Sequence, residues 1–155
     1  TLVLEYEQAA RDAERARLRR VLALRAMLAE GQSQRDVAGR FGVTQPAISY
    51  QLRESDGGVR PSELVAAGGS VLRKVAESRG FTQLAVFGSA ARGDDRPDLI
   101  LTCLFSHPPP DADLFDMQHL EELLAGIVGR GVDLVSYRGL DPRLDQDILR
   151  DKVLL

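Results

Sequence analysis

Three short pieces of the chain hold residues whose types and spacing could do chemistry. The first is Gly88-Ser89-Ala90-Ala91-Arg92-Gly93, placed after the apolar run Leu84-Ala85-Val86-Phe87. A strand that empties into Gly-Ser suits phosphate. The glycine lets the backbone come close to a ligand, the hydroxyl and the turn's N–H groups can hold phosphate oxygens, and Arg92 adds a cation. The second piece is Asp98, directly before Leu99-Ile100-Leu101. The third is Asp133, a lone acid among the apolar residues of Val132-Asp133-Leu134-Val135. Carboxylates at strand ends beside a phosphate turn can hold Mg²⁺. The metal would bridge a triphosphate and an attacking hydroxyl and offset the charge of the transfer. On this reading Asp98 and Asp133 are catalytic and metal-binding, and Gly88, Ser89 and Arg92 bind nucleotide.

A different chemistry lies upstream, in Gly31–Glu54. Ser33 is a helix cap with Asp36 three residues on, Gly42 breaks the chain, and Thr44 caps again with Pro46 in the following first turn. Val37, Ala38, Val43 and Ile48 point inward. The outward positions at the start of the next helix are Thr44, Gln45, Ala47 and Ser49, short or amide side chains that can reach base edges in a major groove. Arg35, Arg40 and Arg53 could meet phosphates. Such a unit binds weakly alone, so a DNA-binding form is expected to be at least a homodimer on a palindromic site.

The elements that must position these residues follow from local pattern. A long helix is expected over about Glu5–Glu30, with Leu18, Val21, Leu22 and Leu28 on one face. Its half before Leu18 is nearly all charged or Ala, a solvated or partner-facing extension and a candidate dimer contact. Helices are expected over Gln34–Phe41 and Thr44–Glu54. Ser55–Pro61 reads as a linker because of Gly57-Gly58 and Pro61. Beyond it, helices are expected over Ser62–Ala67 and Ser70–Ser78, separated by Gly68-Gly69, and strands over Leu84–Phe87 and Leu99–Phe105. A loop with three prolines, a helix over Leu114–Val128, a strand over Val132–Ser136 and a last helix from Asp141-Pro142 to near Val153 complete the pattern. Cys103 reads as a core residue, and Asp94 and Asp95 as solvated loop acids. The fold class is α+β. An all-α helix-turn-helix domain (1–56, the motif at about 33–54) and a linker (57–61) precede a small mixed-sheet domain (62–155).

Length and composition bound the function. The chain has 155 residues, 44% hydrophobic, with a net charge of −3. As a whole it is therefore not a basic nucleic-acid binder. Residues 1–60 carry ten Lys/Arg against eight acids, and residues 61–155 carry ten against fifteen, so the positive excess lies with the proposed DNA reader. One cysteine excludes an internal disulfide, and no apolar run is long enough to span a membrane. The expectation is a cytoplasmic protein with no membrane partner.

Two resemblances follow from these residues. "SQRDVAGRFGVTQPAIS" resembles the helix-turn-helix of the phage-repressor-like (XRE-type) transcription factors. "FGSAARGDDRPD" followed by "LILT" and later "GVDLVS" is similar to the minimal nucleotidyltransferases of the polymerase-β superfamily, over roughly residues 61–155. The second resemblance implies ATP as nucleotide donor and Mg²⁺ as cofactor. It also implies a role as an antitoxin beside a HEPN-type RNase toxin, in which some members transfer AMP to a tyrosine of the toxin. The helix-turn-helix would add repression of the protein's own promoter. The chain departs from the family at Asp98, where an Asp-x-Asp normally precedes the strand. Asp98 can be read as the second acid with the first absent, as the first with Ile100 in place of the second, or as a residue outside the pair with both absent. Two outcomes stay open: an active transferase if the intact chain carries an Asp-x-Asp between Arg96 and Leu99, or a regulator whose degenerate transferase domain only binds nucleotide or partner.

Overall fold

In a computed structural model the chain is described over residues 1–54, 58–97, 101–137, 143 and 146–155. The long first helix, α1, spans Leu2–Ala29. Helices α2 (Gln34–Phe41) and α3 (Gln45–Arg53) begin where their caps predict. Ser33 Oγ accepts from the Asp36 N–H at 3.1 Å while the Asp36 carboxylate accepts from the Ser33 N–H at 3.4 Å, a reciprocal box that satisfies two helix-end donors. Gly42 ends α2 in the left-handed region at φ 65°, where glycine carries no steric cost. Leu24 of α1, Val37, Ala38 and Ile48 form one small core, edged by Met27, Leu28 and Leu52.

Val43 does not plug that core. It is 42% exposed. Only α1, α2 and α3 build this core, and Val43 stands on the rim of an open groove.

Gly68-Gly69 do not separate two helices. One helix, α4 (Pro61–Glu77), runs straight through both glycines. They serve packing, not termination. A Cβ on Gly68 would lie 2.0 Å from Leu22 Cδ1, so the missing side chain is what lets α4 meet α1. A close helix crossing recovers more than the roughly 1 kcal/mol that a helical glycine costs.

A mixed four-stranded sheet in the order β3-β2-β1-β4 follows. β1 (Thr82–Phe87) pairs antiparallel with β2 (Leu101–His107), and β2 pairs parallel with β3 (Gly131–Ser136). Between β1 and β2 lies the one-turn helix α5 (Ser89–Arg92). The parallel pair is joined through α6 (Leu114–Val128), which matches its expected span. The expected last helix is shorter: α7 covers Gln146–Asp151, and Asp141 and Pro142 lie outside the described residues. Val153-Leu154 then form β4 on the outer side of β1. Its pairing covers backbone groups that an edge strand would leave open.

The main core joins Leu72 and Val75 of α4, Leu84 and Val86 of β1, and Leu120, Leu124 and Ile127 of α6 with Leu22 and Ala26 of α1. Helix α1 therefore contributes to both cores. Its residues 2–16 are all exposed.

Candidate functional site

The sheet register assembles the site. Phe87 stands opposite Cys103 across the antiparallel pair, and Cys103 stands opposite Asp133 across the parallel pair. The three form one row, so the turn that begins at Gly88 and the exposed Asp133 lie at the same level of the sheet. They are two strand spacings apart, roughly 10 Å. The middle position of that row is a cysteine.

Gly88 has φ 77° and ψ −149°, a conformation essentially reserved for glycine. A Cβ there would meet nothing within 4 Å, so the backbone dihedral, not crowding, requires the glycine. The open space leaves room for a ligand. Ser89 begins α5 and is half-buried; Arg92 ends it and is exposed. Arg92 Nε lies 3.2 Å from Asp94 Oδ2. An incoming phosphate would have to draw Arg92 from that exposed pair, which costs little.

Asp98, expected as a catalytic and metal-binding residue, lies outside the described residues. The chain itself runs Pro97-Asp98-Leu99-Ile100 without interruption, and β2, Leu-Thr-Cys-Leu-Phe-Ser-His, contains no acid. The Asp-x-Asp is therefore not present between Arg96 and Leu99. Among the described residues no group of three or more His, Cys, Asp or Glu could hold a metal ion. A two-metal centre needs carboxylates facing each other across β2 and β3. This donor set, with Cys103 opposite Asp133, does not fit one.

Asp95 is the acid that sequence reasoning misread. It is 5% exposed rather than solvated. Its Oδ2 accepts from the Ser62 N–H at 2.7 Å, at the start of α4. It thus caps from a distance a helix whose own N-cap residue, Arg60, makes no side-chain cap bond, and a carboxylate there also meets the positive end of the helix dipole. Arg60 Nη1 donates to Gly93 O at 3.4 Å. Arg130, just before β3, donates to the carbonyls of Val59 and of Pro97. The loop leaving the Gly88 turn is in this way tied to the segment that enters α4. No local signal announces this, because the partners are more than thirty residues apart.

The residues expected to meet DNA lie on α2 and α3. Gln45, Arg35 and Arg53 are exposed, Ala47 and Ser49 half-buried. Thr44 is exposed, but its Oγ1 accepts from the Ala47 N–H at 3.2 Å, so the hydroxyl caps α3. Gln45 Nε2 donates to Gln34 Oε1 at 2.7 Å, which fixes the amide from behind. Gln34 is a residue the sequence did not single out; its spacing from Gln45 gains meaning only once the two helices pack.

No helix among the described residues is long and apolar enough to cross a membrane. The fold is similar to a solved structure described as "Structure of putative minimal nucleotidyltransferase". The two are 34% identical with a TM-score of 0.54, over 61% of this chain and 95% of that one. No protein-family model matches the chain, and no curated protein does.

Proposed function

The chain belongs to the minimal nucleotidyltransferases, and from that premise we propose that it is an antitoxin which acts by binding rather than by nucleotide transfer. The helix-turn-helix binds the protein's own promoter. The transferase part holds ATP at Gly88, Ser89 and Arg92 and engages a HEPN-type RNase toxin. The observation that carries this reading is the row Phe87–Cys103–Asp133, which has the Gly88-Ser89 turn at one end, a single acid at the other and no carboxylate between them. Transfer of AMP to the toxin, the other reading of the sequence, needs the acid pair that Asp98-Leu99-Ile100-Leu101 does not supply. Phosphate binding needs only the turn.

The test is one mixture of protein, the toxin encoded beside it, Mg²⁺ and labelled ATP. The expected result is a silenced RNase with no label on it. Label on the toxin would overturn the reading. In calorimetry the protein should bind ATP, and Ser89→Ala combined with Arg92→Ala should abolish the heat while circular dichroism stays unchanged. Equal affinity in both would place the phosphates elsewhere.

A further inference from the structure

Helix α1 carries a stripe that its own chain does not cover. Leu2, Tyr6, Ala9, Ala13 and Ala16 follow one another in steps of four and three, the spacing that keeps one face toward a partner helix. All are exposed, Leu2 by 88% and Tyr6 by 77%. The same steps continue through Arg20 and Ala23 to Met27, and there the stripe becomes the wall of an apolar groove. Ala23, Leu24 and Met27 form one side, and Phe41, Val43 and Ile48 the other, around about 270 Å³. Phe41 is 54% exposed.

We propose that this groove takes the tip of α1 from a second copy of the chain, and that the partner's groove takes the first copy's tip in return. Two α1 helices then lie antiparallel along the stripe, related by a two-fold axis. The register in which Leu2 reaches the partner subunit's Met27 is decided by size. It sets Tyr6 against the partner subunit's Ala23, Ala9 against the stem of the partner subunit's Arg20, and Ala13 against the partner subunit's Ala16. The bulky residue meets a small one, and two alanines meet near the two-fold axis, where the helices can approach most closely.

Charge selects the same direction. Glu5, Glu7, Asp12 and Glu14, with the single base Arg11, lie toward the tip, and Arg15, Arg17, Arg19 and Arg20 toward the groove. Antiparallel packing lays acid against base and places Asp12 beside the partner subunit's Arg19. Parallel packing would lay like against like. Antiparallel helix dipoles add to the preference.

The pairing has a consequence for DNA, which rests on the DNA-binding reading above although the pairing itself does not. In this register the two Leu24 positions lie about 28 Å apart along the pair and the two Met27 positions about 38 Å, at ~1.5 Å per residue. These distances bracket the roughly 34 Å turn of DNA that separates two half-sites.

Analytical ultracentrifugation tests the proposal. The wild type should sediment as a dimer, twice the 17.0 kDa of one chain. Ala13→Arg, at the alanine contact, should give a monomer with unchanged helicity, and Phe41→Ser, in the groove, should do the same from the other side. Arg11→Ala, on the opposite face of α1, should stay dimeric. Ala13→Cys with Ala16→Cys should cross-link two chains on oxidation. A monomeric wild type, or a dimer that survives both Ala13→Arg and Phe41→Ser, overturns the proposal. A dimer that ignores the promoter sinks the DNA reading and keeps the pairing; a monomer that reads the promoter does the reverse.

Discussion

At the scale of single residues, the two halves of the chain make separable demands. Gln45 projects from the start of α3 with its amide held by Gln34. Gln45→Ala and Ser49→Ala should each weaken specific promoter binding by about 1–3 kcal/mol, the range of one base contact. Arg35→Ala should weaken all DNA alike and flatten the salt dependence. Gel shifts on promoter and random DNA at two salt concentrations separate these effects, and equal loss on both sequences for Gln45→Ala would remove it from base recognition. Asp95 makes a structural demand. Asp95→Ala leaves the Ser62 N–H without its acceptor and should cost about 0.5–2 kcal/mol, read as a lower urea midpoint with an unchanged slope.

At the scale of elements, the magnitudes decide what the glycines of α4 are for. Gly68→Ala gains up to about 1 kcal/mol of helix propensity. The new Cβ would stand 2.0 Å from Leu22 Cδ1, and Leu22 is 1% exposed in the main core, so its side chain would have to shift against packed neighbours. Overpacking of this kind costs about 1–3 kcal/mol, so the net effect should be loss of stability in chemical denaturation; a gain would show that α1 and α4 can separate. Helix α2 offers a test by pH. Asp36 is held below the usual carboxylate range by the Ser33 hydroxyl first and the Ser33 N–H second. A depressed carboxylate contributes stability above its unfolded value, near 4, and loses it as pH falls through the folded value. The difference in thermal midpoint between wild type and Ser33→Ala should therefore be constant from pH 7 to 5 and shrink below about pH 4. A gap as large at pH 2 as at pH 7 would detach the Asp36 carboxylate from the box, since the bond from the Asp36 N–H to Ser33 Oγ does not titrate.

At the scale of the whole molecule, α1 joins the two packed cores. Leu24 packs with α2 and α3, while Leu22 and Ala26 pack in the core over the sheet. A split into a domain of residues 1–56 and another of 62–155 would strip the second of those side chains. A chain beginning at residue 58 should fail to fold cooperatively, judged by circular dichroism and a broad thermal transition. Leu22→Ala in the full chain should cost about 2–5 kcal/mol and should move both parts in a single transition. A fragment that melts sharply on its own would show that the sheet does not need α1.

Much of this molecule was legible because it rests on neighbours three or four residues apart. Ser33 with Asp36, Thr44 with Ala47 and the αL turn at Gly42 act within one helical turn, and α2 and α3 stand where those signals put them. The turn after β1 was legible in the same way, as a strand followed by Gly-Ser. Local pattern could not reveal what α4 does with Gly68, because the answer is Leu22, forty-six positions away. Nor could it show that Asp95 is buried under Ser62, or that Val43 lines an open groove. The residue facing Asp133 is of the same kind. The sequence determined that Asp133 sits alone in an apolar strand; only the register of β2 against β3 set Cys103 opposite it. Register is settled by which whole faces of two strands bury together, a choice made by side chains thirty residues apart, and no run of neighbouring residues contains it.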